Sequence, residues 1–540
     1  MKKYESYTKE QLVEELKKLS KRKKYGLVWE EEKTKEIFEL QAEGKLPVLK
    51  ENESNSIVTE LSQPTHILIE GDNYHALSVL NYTHAKSIDL IYIDPPYNTG
   101  NNDFKYNDKF VDLEDSYRHS KWLSFMSKRL KLAKNLLKTT GVIFISIDDK
   151  EIAQLKLLCD EIFGEDLFIG NAVRRRRNSQ ANLSKNLSTI HEYLLIYGKS
   201  SITQLNKLQP TINEGDFKNP DKDPRGVYVT MPCTNKGGAY YSVKTPTGKI
   251  IKEEWRFKKE TYYKLLEDNR IVFPKGGDGK PRYKLFKNEK MEKGVIPNSW
   301  WDDVASNQEA SAELKLFFNG NSLFNNPKPV GLINRILKLA TKKEGSVVLD
   351  FFAGSGTTAH AVLELNKEDS GNRQVIICTN NENNICTEVC YPRVKKAIKG
   401  YQIKKGEKAK GLGGNLKYYN TAFVGSEPTH RNKRLLTEES IEMLCIRENT
   451  FEEVLSKPDI SIFKSKTKYT AILFNERKME EFKREIKKLK LKVSVFVFSL
   501  EGEDFSDEFT DFKKDITLCS IPEAILKVYR RIYITAKPKK

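Results

Sequence analysis

From Thr65 onward, short apolar runs alternate with helix-patterned stretches: HILIEGD at 66–72, NYHALSVLNY at 73–82, IDLIYIDPPY at 88–97. Apolar runs of this length between polar turns read as buried strands, and the intervening segments repeat apolar residues at helical spacing, which is βαβ syntax. The pattern continues with a helix over 120–138, the buried strand GVIFISIDD at 141–149, a helix near 150–163 and the strand IHEYLLIY at 190–197. It then breaks. Residues 200–325 mix Gly, Pro, Asn and Lys with aromatics, as in GGAYYSVKTPTGK and PNSWWDDV, and predict an inserted irregular domain. Beyond it the syntax resumes with a helix over 329–341, the strand SVVLDFF at 346–352, a glycine turn, a helix through Leu365 and the strand QVIICT at 374–379. One α/β sheet is therefore expected from two separated segments.

The ends read differently. Leu12, Leu16 and Leu19 recur at helical spacing, and Thr8 with Gln11 resembles a capping box, so residues 8–45 read as helix. After the basic, Gly-rich stretch 399–415, the tail mixes a helix starting near Thr437 with the strands YTAILF and KVSVFVF. The expected organisation is a helical extension over 1–64, two halves of the sheet domain over 65–199 and 326–405, the insertion over 200–325, and a linker with a small α+β domain over 406–540.

A chain of 540 residues is long enough for two to four domains. Its N-terminus is charged and lacks the apolar core of a secretory signal, so a cytoplasmic location is expected. The seven cysteines include no CxxC spacing, which suits free thiols in a reducing compartment. Cys378, Cys386 and Cys390 are the one cluster with metal-like spacing, and they lack a fourth ligand. Lys and Arg number 92 against 74 Asp and Glu, a formal charge of +18, which favours a polyanionic partner.

Two motifs carry candidate chemistry. Asp350-Phe351-Phe352-Ala353-Gly354-Ser355-Gly356-Thr357-Thr358 lies between a buried strand and a helix. Its glycines permit a tight turn and close approach to a ligand, and Asp350 can accept from a ligand ammonium or hydroxyl. A generic nucleotide turn would look similar, but no basic residue stands in the turn to hold a pyrophosphate, and Ala359 replaces the third glycine of the dinucleotide fingerprint. Asp94-Pro95-Pro96-Tyr97 follows an apolar strand at its carboxyl end, where open α/β sheets place ligands. The prolines stiffen the turn, so the Asp94 carboxylate and Pro95 carbonyl can converge as acceptors on an amine such as adenine N6 and localise its lone pair. Tyr97 offers a face on which an extruded base can stack.

With Gly71-Asp72-Asn73 and Asn326-Pro327-Lys328-Pro329, these motifs make the chain resemble the β-group of DNA amino-methyltransferases, in which DPPY precedes FxGxG. More narrowly, ILIEGDNYHAL, DPPYNTGNNDFKYND, TNNENNICTEV and GLGGNLKYY resemble the modification subunit of type III restriction-modification systems. The resemblance implies a seven-stranded, mostly parallel sheet, S-adenosylmethionine as methyl donor with no metal, adenine N6 in double-stranded DNA as target, a homodimer, and a helicase-nuclease partner. It assigns Asp94, Pro95, Pro96 and Tyr97 to catalysis. Asp72, Lys328, Asp350, Phe351, Phe352, Gly354, Gly356, Thr357 and Thr358 fall to the cofactor along with Asp94, and Asn380 or Glu382 to its ribose. DNA contacts are expected from Arg174, Arg175, Arg176 and Arg177 and, in the insertion, from Lys236, Tyr240, Tyr241, Lys244 and Arg256, although aromatics there also suit a domain core. The competing readings are cytosine-N4 methylation, a noncatalytic DNA-binding specificity protein and a nicotinamide-dependent oxidoreductase.

Overall fold

The computed structural model describes residues 8, 29, 44–60, 62–100, 104–106, 109–111, 114–179, 186–404, 407–427, 429–499, 503–512, 516–521 and 525–527. The helix expected over 8–45 falls almost wholly outside them. The chain divides into two compact units, one of residues 1–205 with 299–540 and the other Asn206–Asn298.

The larger unit is built on a ten-stranded sheet, where seven strands were expected. In chain order the strands are β1 (Lys45–Glu51), β2 (Thr65–Glu70), β3 (Ile88–Ile93), β4 (Leu137–Ile147), β5 (Phe168–Arg175), β6 (His191–Gly198), β7 (Trp300–Trp301), β8 (Val347–Asp350), β9 (Gln374–Thr379) and β10 (Asn415–Gly425). Their spatial order is β1-β10-β2-β9-β8-β3-β4-β6-β5-β7. Only β1 and β6 run against the rest. The extra strands lie at the edges. Pro47 fits β1 because an edge strand leaves one side unpaired and tolerates a missing N–H.

The inner strands are apolar on both faces, as sheets covered by helices require. Ile91, Ile93, Ile143, Ile145, Leu349 and Ile376 join a cluster with helices α1 (Asn73–Thr83), α2 (Arg118–Leu136) and α3 (Ile152–Phe163). The alternating residues Leu90, Tyr92, Val142, Phe144, Val348 and Ile377 are buried too. They point the other way. A second packed row, α4 (Val330–Ala340), α5 (Thr357–Asp369) and α6 (Tyr391–Lys399), contacts β3, β4 and β9. In α4, Val330, Ile333, Ile336 and Leu337 form one buried stripe.

The C-terminal part carries a five-stranded sheet, Glu452–Lys457, Ile460–Lys464, Lys468–Leu473, Lys492–Phe498 and Ile516–Ile521, in that order. Among the described residues no helix is long and apolar enough to cross a membrane.

The smaller unit, Asn206–Asn298, lies inside the stretch expected as an insertion; residues 299–325, with β7, belong to the larger unit. It holds an antiparallel ribbon, Thr234–Lys244 with Ile250–Trp255, and a three-stranded sheet of Tyr228–Pro232, Ile271–Val272 and Arg282–Phe286. Its core is Cys233, Val243, Ile251, Trp255 and Tyr262.

Candidate active site

The sheet has one place where the chain parts in two directions. From β3 it passes through α2 to β4 on one side, and from β8 through α5 to β9 on the other, while β3 and β8 are hydrogen-bonded neighbours. Crossovers diverging from adjacent strands leave a crevice at the strands' carboxyl ends, where ligands of open α/β sheets bind. Asp94 directly follows β3, and Asp350 ends β8. The two motifs, more than 250 residues apart in sequence, thus meet at one edge of the sheet.

Asp94 is half-buried, and its carboxylate is heavily engaged. Lys328 Nζ lies 2.8 Å from both Oδ1 and Oδ2, and the Tyr97 hydroxyl donates to Oδ1 at 2.8 Å. The same ammonium donates to the Tyr97 hydroxyl at 2.9 Å. Burial, then the Asp94 and Glu192 charges, pushes the Tyr97 phenol well above its ordinary range, so it stays a proton donor. Trp122 Nε1 donates to the Pro96 carbonyl at 2.7 Å and pins the turn. Asn98, at φ 55°, donates to Glu151 Oε1 at 2.6 Å, and His119 Nδ1 lies 2.7 Å from that oxygen. Burial raises the Glu151 carboxyl to about 7, against the Asn98 hydrogen bond and the Arg118 charge, which lower it.

Asp350 accepts from the Phe352 N–H at 2.9 Å and from the Thr358 hydroxyl. Burial raises its carboxyl to about 7; these hydrogen bonds oppose the rise and the Asp94 charge adds to it. The turn needs its glycines: Gly354 sits at φ 51° and Gly356 at φ 77°. A Cβ on Gly356 would stand 3.1 Å from Cys390 Sγ and 3.3 Å from the Cys390 carbonyl. Thr357 accepts from Arg393 at 2.7 Å, so both threonine hydroxyls brace the turn from within. Phe351 is fully buried, and Phe352 is half-buried with its ring 5.9 Å from Phe125. Asp72 caps α1 by accepting from Tyr74 N, and the fully buried Arg129 reaches it at 3.2 Å. Asn380 and Glu382 are exposed just beyond β9.

Lys328, expected at the cofactor, is placed on the Asp94 carboxylate. Two expected DNA contacts need correction. Arg174 is fully buried and pairs with Glu192 at 3.1 Å, so it offers no surface charge; Arg175 and Arg177 are exposed and Arg176 is half-buried. Tyr241 faces the core of the smaller unit, its ring 5.9 Å from Trp255 and its hydroxyl donating to the Phe257 carbonyl. Tyr240, Lys236, Lys244 and Arg256 are exposed. Cys378, Cys386 and Cys390 are buried free thiols, and among the described residues no group of three His, Cys, Asp or Glu is arranged to hold a metal. Sequence reasoning missed Glu192 and Arg129. Each is a charge on an otherwise apolar face, Glu192 inside IHEYLLIY and Arg129 seven residues after Trp122 on a helix, and that mismatch was the available signal.

The chain is 40% identical over 367 residues to the Mod subunit of the type III restriction-modification enzyme StyLTI from Salmonella typhimurium, covering 62% of this chain and 56% of that one. It is 34% identical to the EcoPI Mod subunit of Escherichia phage P1, over 62% of this chain and 60% of the other, and 33% identical to the type II methyltransferase M.KpnI of Klebsiella pneumoniae, over 59% and 82%. The matches thus span under two thirds of either Mod subunit's length. The family model for DNA methylases of the N6/N4 type matches residues 88–390, more than half of the chain. The chain belongs to the N6/N4 DNA methylase family.

Proposed function

We propose that the protein methylates adenine N6 in a specific sequence of double-stranded DNA, using S-adenosylmethionine, as the modification subunit of a cytoplasmic type III restriction-modification system. The observation that carries this reading is the meeting of Asp94-Pro95-Pro96-Tyr97 with the glycine turn at the carboxyl ends of the adjacent strands β3 and β8. The donor set fits the cofactor. Asp72, Asp94 and Asp350 are acidic, as a ligand bearing an ammonium and a sulfonium requires, and the turn from Asp350 to Thr358 has no cation to hold a pyrophosphate.

Bound beside the turn, S-adenosylmethionine supplies an electrophilic methyl group. Asp350 and Asp72 hold the cofactor's polar groups, and Phe352 offers a face to its adenine. An adenine extruded from the duplex stacks on Tyr97. Its amine donates to the Asp94 carboxylate and the Pro95 carbonyl, which keeps the nitrogen lone pair aimed at the methyl. As the N–C bond forms and the methyl–sulfur bond breaks, with its electron pair left on sulfur as a neutral thioether, the nitrogen gains positive charge, which the Asp94 carboxylate stabilises. The N6 proton then leaves to solvent. A homodimer and a helicase-nuclease partner belong to this reading.

Sequence reading on the DNA falls to the ribbon of the smaller unit. B-DNA's major groove admits a two-stranded ribbon. One face of this ribbon is exposed and carries Tyr240, Ser242, Lys244, Ile250 and Lys252, with Lys252 Nζ 5.2 Å from the Tyr240 ring.

The test is transfer of labelled methyl from S-adenosylmethionine to unmethylated genomic DNA, followed by digestion and mass identification of the nucleosides, for wild type and Asp94→Ala. N6-methylated adenine nucleoside with wild type alone is the expected result. Label on cytosine, or none on any nucleoside, overturns the reading.

A further inference from the structure

The charges around Asp94 form a closed group that the methyl-transfer step alone leaves unexplained. Glu192 stands on β6, two strands from β3, and is 1% exposed. Its Oε2 lies 3.7 Å from Lys328 Nζ and 3.5 Å from the Tyr97 hydroxyl, and its Oε1 lies 3.1 Å from Arg174 Nε. Burial pushes the Glu192 carboxyl up, but Lys328, Arg174 and Arg176 outweigh it and hold the group ionised, below its ordinary range.

An ammonium has three N–H donors. Lys328 directs its three at Asp94 Oδ1, Asp94 Oδ2 and the Tyr97 hydroxyl. An incoming amine is also a donor, so it meets a carboxylate already claimed on both oxygens. Lys328 is only 7% exposed and cannot retreat to water, and an unpaired ammonium in this place is strongly disfavoured. Among the described residues, Glu192 is the one other anion within 4 Å of it.

We infer that Glu192 is a positioning residue for methyl transfer: when the target amine donates to the Asp94 carboxylate, the Lys328 ammonium shifts toward Glu192, so that no buried charge is left unpaired. The inference rests on the proposed adenine reaction. Glu192 touches neither substrate nor cofactor; it acts through Lys328. In Glu192→Gln the ammonium has no second anion, stays on Asp94 and competes with the amine.

The experiment is single-turnover methyl transfer at saturating S-adenosylmethionine, with labelled-donor binding and melting temperature measured on the same preparations. Glu192→Gln should transfer at least about tenfold more slowly, with donor affinity within about twofold of wild type, because the lost interaction acts on the base-bound state. Glu192→Asp, which keeps the charge, should recover part of the rate. In a Lys328→Met background, adding Glu192→Gln should cost almost nothing further, since the residue it acts through is gone. If Glu192→Gln leaves Arg174 unpaired and fails to fold, the pair Glu192→Gln with Arg174→Gln removes both charges and should show the same slow transfer. Wild-type rates in Glu192→Gln or in that pair, or an equal loss with and without Lys328, overturn the inference and leave the adenine reading standing. A wild type that methylates no nucleoside overturns that reading, and the role of Glu192 with it.

Discussion

At the scale of single residues, the turn after β3 is held from behind by a buried carboxyl. Glu151 has a fully buried side chain, accepts from Asn98 and lies against His119, and burial raises its carboxyl from the ordinary 4.5 to about 7. An acid raised in this way is favoured in its protonated form. Its contribution to stability is complete below the unfolded value near 4.5 and is lost as pH rises through about 7. At pH 8 the folded state therefore carries a penalty of order 3 kcal/mol from this group, because each tenfold change in proton affinity is worth about 1.4 kcal/mol. Glu151→Gln keeps the shape and removes the titration. Urea denaturation at pH 5 and pH 8 should show wild type losing more stability between the two than the variant. Equal losses would mean that the carboxyl is ionised throughout.

At the scale of elements, the glycine turn is a joint whose backbone does the work of a side chain. Gly356 caps α5 in a left-handed conformation, and its Cα faces Cys390 and Val394 of the following segment. Gly356→Ala should cost about 1–2 kcal/mol for the backbone alone, more for the contact, and should lower affinity for labelled S-adenosylmethionine. Gly331 in α4 has open space around its Cα, so Gly331→Ala should leave stability equal or higher and serves as the control. The same contrast explains what the sequence made legible. β3, β8 and β9 are mostly apolar runs ending at motif residues, so strand, turn and chemistry could be read together. β10 could not: its pattern NLKYYNTAFVG mixes polar and aromatic residues after a glycine-rich stretch, and its place beside β2 depends on pairing across more than 300 residues. β7 is two tryptophans, too short to carry a period. Asp94 was legible as a motif, but the ion pair with Lys328 and the Glu192 behind it depend on strand order, which periodicity does not encode.

At the scale of the whole molecule, the positive charge separates into parts with different consequences for DNA. The smaller unit holds 20 Lys and Arg against 12 Asp and Glu between residues 206 and 298. Some are already paired: Lys284 lies 2.8 Å from Asp223, and Arg270 pairs with Asp268 and Glu289. Such internal pairs add little to a phosphate contact, because forming one there means breaking an existing pair. The ribbon's exposed face is the part with charge and an aromatic ring presented together, with Tyr240 66% exposed and Ile250 70%. Its residues should divide by what they touch. A lysine on a phosphate releases counterions, so Lys252→Ala should weaken binding to every sequence alike and flatten the dependence of log K on log salt by about one unit. Tyr240 has no charge to exchange. If it lies against base edges, Tyr240→Ala should leave the salt slope unchanged and reduce the preference for the recognised site over other DNA by about 1–3 kcal/mol. Fluorescence anisotropy on a specific and a random duplex at several salt concentrations separates the two effects. Uniform weakening by Tyr240→Ala with an altered slope would place the tyrosine on the backbone and move sequence reading off this face of the ribbon.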